Sequence, residues 1–240
     1  TTHNLLQPEF ETLLKAFGSP NYGTQRSLCF NSMVAAHLFT YGFQEPERKY
    51  EGVQYMILAG RNLMEAISNS ETQALMAAVA GGAKLVVVDP RFTKTAAKAA
   101  EWCPIRPGTD LAFFLAILQV MVTEKRYNKA FVEKYTTGFD EVAAAVQPYT
   151  PEWAASICEI DAKVIRRLAR ELTGAMPNAF VHPNWRTSNF VNSFQAERTI
   201  AIINALLGNG LPDSMCSAPV TTVKLGTIKR PSFPRVKASR

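Results

Sequence analysis

VQYMILAGRNLMEAISNSETQALMAAVAGGAKLVVVDPR, residues 53–91, decides the fold. VQYMILAG (53–60) is a short apolar run ending in glycine and reads as a buried strand. Residues 62–82 carry Leu, Met, Ile and Ala at helical spacing and stop at Gly81-Gly82, the signature of a helix and its C-terminal stop. KLVVVDP (84–90) is a second strand, closed by Pro90. Strand, helix, strand implies two parallel strands joined by a right-handed crossover.

Outward from this unit the alternation continues. RFTKTAAKAAEW (91–102) reads as a helix, CPIRPGTD (103–110) as a short strand and turn, and LAFFLAILQVMVTEKR (111–126) as a buried helix that Asp110 can cap. NKAFVEKYT and FDEVAAAVQPYT follow as two short helices. PEWAASIC and DAKVIRRLARELTGA form a helix pair, the second capped by Asp161 and closed by Gly174. NAFVHPNW (178–185) begins as a strand, and residues 193–209 form an apolar-striped helix stopped by Gly208-Asn209. Upstream, residues 1–52 read as a helical entry segment. This order predicts an α/β fold built on a layered parallel sheet. The expected divisions are 1–52, 53–150 for the sheet unit, 151–210 for a helical segment and a further strand, and 211–240 for a basic linker or discontinuous tail.

The chain has 240 residues, 47% of them hydrophobic and 19% charged, enough to bury a core. Its net charge of +6 is unevenly placed. Residues 1–210 balance to +1, whereas 211–240 hold six Lys or Arg against Asp213 alone. A near-neutral body with a basic tail argues against nucleic acid as the partner. The longest apolar run, 111–122, is too short to span a bilayer. The opening TTHNLLQPEFETLLK shows no basic segment followed by an apolar one, so no export signal is visible in it. Cys29, Cys103, Cys158 and Cys216 stand far apart, with no CxxC and no zinc-finger spacing.

In a doubly wound sheet, ligands lie beyond the C-terminal strand ends. Here those ends are Gly60-Arg61-Asn62 and Asp89-Pro90-Arg91. Glycine admits a ligand to the backbone, helix N-terminal amides suit a phosphate, and a strand-end acid such as Asp89 can accept from ribose hydroxyls. GxGxxG is absent, which weighs against a plain nicotinamide site. Asp89-Pro90 ending a strand with an ordinary turn is the alternative.

VVVDPRFTKTAAKAAEWCPIRPGTDLAFFLAILQVMVTEKRYNKAFVEKYTTGFDEV (86–142) resembles the dimethyl-sulfoxide-reductase family of molybdopterin oxidoreductases. The matching strings are VDPR-x-T-x-TA, IRPGTD, the long apolar helix and Y-x-x-x-FV-x-x-T-x-GF, in that order. GSPN (18–21), RSLCFNS around Cys29, and HPNWR…ERTIAIINALLGN (182–209) fit as well, so the resemblance covers about residues 18–209. It implies Rossmann-like molybdopterin-oxidoreductase domains and molybdenum, or tungsten, held by two molybdopterin guanine dinucleotides. One guanosine would lie across Gly60, Asn62 and Asp89, with Arg91 near phosphates or base. The turn Pro107-Gly108-Thr109-Asp110 would meet the guanine, with the Asp110 carboxylate accepting from base N–H groups. Asp110 as a helix cap is the competing role. Cys29 stands where the family places its metal ligand, and a thiolate suits such a metal. A buried free cysteine is the plain alternative.

The segments around Cys29 and residues 182–209 resemble polysulfide and thiosulfate reductases, with arsenate and tetrathionate reductases as near relatives. Phe30 replaces the histidine usual after the ligand in formate dehydrogenases. Arg186 would hold an anionic sulfur substrate and His182 would assist as proton donor; a surface ion pair and a packed turn residue are the ordinary readings. The resemblance further implies a longer subunit with a [4Fe–4S] segment, an iron–sulfur electron-transfer partner, a membrane anchor, and a site on the periplasmic or outer face of the cytoplasmic membrane. A cofactor-free scaffold in a respiratory complex is the alternative of another class.

Overall fold

The computed structural model describes residues 6–21, 31–44, 46–66, 68–183 and 190–217, with side chains from Phe10 onward. The chain divides into two compact units, residues 1–28 with 221–240, and residues 29–220. In the first, α1 (Leu6–Phe17) exposes Phe10, Leu13 and Phe17 along one stripe.

The second unit contains α2 (Asn31–Tyr41), β1 (Glu47–Arg48), β2 (Tyr55–Ala59), α3 (Asn69–Ala80), β3 (Lys84–Val88), β4 (Glu101–Cys103), α4 (Asp110–Thr123), α5 (Lys129–Tyr135), α6 (Phe139–Ala145), α7 (Pro151–Cys158), α8 (Ala162–Gly174), β5 (Ala179–Val181), α9 (Ser193–Leu206) and β6 (Cys216–Ser217). Four strands form a parallel sheet in the order β4-β3-β2-β5. The fold is therefore the expected α/β parallel-sheet class.

The strands are buried on both faces, and residue alternation divides them between two cores. Ile57, Ala59, Val86, Val88 and Val181 join one with α4, α7, α8 and α9. Met56, Leu58, Leu85, Val87 and Phe180 join the other with α3. Ten residues of α4 are buried, because it is apolar all round and helices surround it. In α8, Ile165, Leu168 and Leu172 face the core, while Arg166 and Arg170 reach outward to Glu152 and Glu124. Asp161 caps α8 by accepting from the Lys163 amide at 2.7 Å. α2 and α9 run side by side in the same direction: Ser193 Oγ donates to Ser32 Oγ at 3.0 Å, and Tyr41 donates to the Ala201 carbonyl at 2.5 Å.

Three local expectations need correction. Residues 62–82 are not one helix; a single 3-10 turn, Leu63–Glu65, precedes α3. Thr72 Oγ1 donates to the Leu63 carbonyl at 2.8 Å, and the Thr95 hydroxyl takes the Met64 amide at 3.1 Å, fixing the irregular entry. Residues 91–102 form only a 3-10 turn, Ala96–Lys98, before entering β4. Thr93 Oγ1 captures the Ala96 amide at 3.1 Å, and the Ala100 amide joins the sheet at the Leu85 carbonyl, 2.9 Å away. Side-chain competition and the sheet edge override the alanine-rich helix propensity. Thr109, not Asp110, is the N-cap residue of α4. Within the segment read as a tail, β6 pairs antiparallel with β1, and Cys216 is buried.

Candidate functional site

Because all four strands run parallel, their C-terminal ends share one edge. The chain crosses from β2 to β3 to β4 in one direction and then returns to β5 on the far side of β2. The reversal lies between β2 and β5, where a crevice forms in such sheets.

Gly60 and Asn62 leave β2, and Asp89 and Arg91 leave β3, brought together by the pairing of Ala59 with Val88. The Gly60 amide donates to the Val88 carbonyl at 2.9 Å. Asn62 accepts from Thr95 Oγ1 at 2.8 Å through its Oδ1 and donates to Glu65. Glu65 also faces Lys94 at 3.5 Å and Arg91 at 3.8 Å, both exposed. The Asp89 carboxylate takes the Arg91 amide at 2.9 Å, and Trp102 Nε1 donates to the Asp89 carbonyl at 2.8 Å. This edge combines an amide, carboxylates and solvent-facing cations within two adjoining turns.

β4 leads from Cys103 to Pro107 and Gly108, both exposed, and then to Asp110. Gly108 has φ +80°, and a Cβ there would lie 3.4 Å from the Phe190 ring. Gly108, Asp110, Phe190 and Ser193 line a small pocket. Asp110 is 8% exposed. Burial pushes its carboxyl up to about 6, the Asp89 charge pushes the same way, and its own backbone N–H opposes them. Asp110 thus presents carboxyl oxygens beside the Gly108 turn, acceptors suited to a ligand edge rich in N–H donors. The residues present fit a ligand that offers N–H donors and anionic groups together.

The other wall carries a buried charge cluster that sequence reasoning missed. Glu71, in the first turn of α3, accepts from Arg48 Nε at 2.8 Å, Tyr50 Oη at 3.1 Å, Arg61 at 3.1 Å and His182 Nε2 at 3.0 Å. Its partners stand up to 111 residues away, and a first-turn glutamate reads as a solvated charge. Burial opposes its ionisation, but His182 and the two guanidiniums hold its carboxyl well below the usual carboxylate range. His182, named above as a proton donor, is 1% exposed. Burial lowers its pKa, the Glu71 hydrogen bond opposes this, and Arg48 lowers it further. Nδ1 lies 2.5 Å from the Pro183 carbonyl.

Cys29 and Arg186 lie outside the described residues. Among the described residues no group of three or more His, Cys, Asp or Glu could hold a metal, and no helix is long and apolar enough to cross a membrane.

Residues 6–223 match the family model described as molybdopterin oxidoreductase. The chain is 41% identical over 198 residues to the thiosulfate reductase molybdopterin-containing subunit PhsA of Salmonella typhimurium, covering 82% of this chain and 26% of that protein. It is 33% identical over 208 residues to acetylene hydratase of Syntrophotalea acetylenica, covering 85% and 28%. The solved structure of acetylene hydratase from Pelobacter acetylenicus superposes with a TM-score of 0.74 at 32% identity, over 83% of this chain and 27% of that one. The chain thus spans about a quarter of the length of the relatives it matches.

Proposed function

The chain belongs to the molybdopterin oxidoreductase family, and we propose that it is part of a catalytic subunit that reduces thiosulfate, polysulfide or a related sulfur compound. The observation that carries this reading is the 41% identity to a thiosulfate reductase subunit across 82% of the chain. The gathering of Gly60, Asn62, Asp89 and Arg91 at one sheet edge supports it.

When bound, a molybdenum–bis(molybdopterin guanine dinucleotide) group supplies a metal that exchanges two electrons, with tungsten as the alternative metal. Gly60 and Asn62 would hold the nucleotide by backbone and amide contacts, and Arg91 would meet its phosphates. The Pro107-Gly108 turn would set the approach of the base, and Asp110 would accept from its N–H groups. Cys29 would ligate the metal, Arg186 would hold the anionic substrate, and His182 would assist proton delivery. A [4Fe–4S] cluster elsewhere in the subunit, an iron–sulfur partner, a membrane anchor and an outer-face location complete the proposal.

Elemental analysis and acid release of nucleotide from the intact protein test this. The reading expects molybdenum or tungsten, guanine nucleotide, and thiosulfate- or polysulfide-dependent oxidation of a reduced dye. Cys29→Ser should alter the metal's paramagnetic signature. No metal would favour the scaffold reading, and released nicotinamide would favour a dehydrogenase. Activity on tetrathionate or arsenate alone would reassign the substrate. The likeness to acetylene hydratase supports a second reading, hydration without net electron transfer. Metal with guanine nucleotide, no dye oxidation and hydration of an alkyne would select it.

A further inference from the structure

We propose that Glu71 is a positioning residue that clamps the two walls of the switch-point crevice and thereby sets how firmly the cofactor is held. The proposal rests on the reading of that crevice as the dinucleotide site.

The geometry is specific. Arg61 is the second residue beyond β2 and stands beside Asn62; His182 is the first beyond β5. The two strands flank the topological reversal, and one carboxylate joins their exits: Glu71 Oε2 takes Arg61 at 3.1 Å and Oε1 takes His182 Nε2 at 3.0 Å. The His182 backbone amide continues the sheet by donating to the Ile57 carbonyl at 2.8 Å. The chain leaving β5 is thus fixed at both main chain and side chain. Arg48 adds a tie to β1, and β1 is held in turn by β6. Groups this buried have little freedom to re-pair: side-chain exposure is 9% at Glu71, 6% at Arg61 and 1% at His182. A buried anion between two guanidiniums keeps its partners in place because separating any of them strands a charge away from water. Asn62 and Pro183 inherit their separation from this clamp, although Glu71 need touch no ligand. Such supporting contacts change retention of a bound group without joining its chemistry.

The test compares four variants in the intact protein, reading metal and guanine nucleotide retained per folded chain after prolonged dialysis. Glu71→Gln removes the anion. His182→Phe removes only the β5 tie and leaves Glu71 with its arginines, so it remains informative if Glu71→Gln fails to fold. His182→Gln restores an amide donor. Tyr50→Phe takes one donor from Glu71 without loosening either wall. A clamp predicts about tenfold faster loss of metal and nucleotide together in His182→Phe, partial rescue in His182→Gln, and wild-type retention in Tyr50→Phe. Wild-type retention in His182→Phe with a lower melting temperature would make the cluster merely structural and overturn the proposal. Equal loss in His182→Phe and Tyr50→Phe would overturn it too. A wild-type protein that carries neither metal nor guanine nucleotide would sink the functional reading itself, and the clamp with it.

Discussion

Asp110→Asn should stabilise the cofactor-free protein near neutral pH while weakening its hold on guanine. The carboxyl sits in a buried position where burial and Asp89 raise its pKa from 3.8 to about 6. A raised carboxyl binds its proton more tightly in the folded chain than in the unfolded one. Its contribution to stability is therefore fully present below about pH 4 and is lost as pH rises through about 6. At about 1.36 kcal/mol per pH unit, that gap corresponds to about 3 kcal/mol, an upper bound because relaxation and water reduce it. Asparagine keeps the shape and cannot ionise. Denaturant unfolding of both proteins should show the variant more stable by about 1–3 kcal/mol near pH 7.5, with the difference vanishing near pH 4. In thermal melts this corresponds to several degrees for a chain of this size. A difference independent of pH, or a variant less stable at neutral pH, would refute the assignment of Asp110 as a carboxylate held against its preference. Guanine nucleotide retention should fall in the same variant, since an amide cannot accept as two oxygens do.

Other measurements bear on the fold. Phe113, fully buried in α4, should cost about 3–5 kcal/mol when truncated to alanine, read by urea unfolding. Gly208→Ala would place a Cβ 2.7 Å from Asn128 Nδ2 at a φ of +92°, where Asn128 caps α5 through the Phe131 amide. It should cost about 2 kcal/mol, and a neutral result would refute the cap. Burial pushes the Cys103 and Cys216 thiols up to about 12 and raises Cys158 as well. Iodoacetamide at about pH 8 should leave all three unlabelled in the native protein and label them on unfolding, as peptide mass spectrometry would show. Glu71 acts opposite to Asp110: its stabilisation is present above its ordinary 4.5 and is lost only as pH falls far below it. The native protein should therefore show an acid-side loss of stability that Glu71→Gln abolishes.

The central strands were legible because VQYMILAG and KLVVVDP leave little choice: continuous apolar runs of this length demand burial on both faces. The helices from Asp110 to Gly174 were legible for a related reason, periodicity with caps such as Asp161. The alanine-rich stretch 91–102 misled because propensity is a local quantity. Thr93, Thr95 and the open edge of β3 supplied competing hydrogen bonds that no window of residues reveals. At the site, Gly60, Asn62, Asp89, Arg91 and Asp110 could be named because strand ends and motif spacing locate them. Glu71 could not. Its meaning comes from Arg48, Arg61 and His182 converging through the fold, and a lone glutamate in SNSETQ carries no sign of them.

β2 pairs with β3 across a single helical crossover, but its other neighbour, β5, arrives only after six intervening helices. During synthesis, the first emerging residues can build one side of the sheet while the opposite edge of β2 stays open to water. Pairing across so large a separation carries a heavy loop-closure cost and slows folding. The nascent chain therefore passes through a stage with an exposed apolar strand edge, the kind of surface that invites aggregation or a chaperone. The sheet is complete only once residues through 181 have left the ribosome, which makes this late strand the event that times its closure.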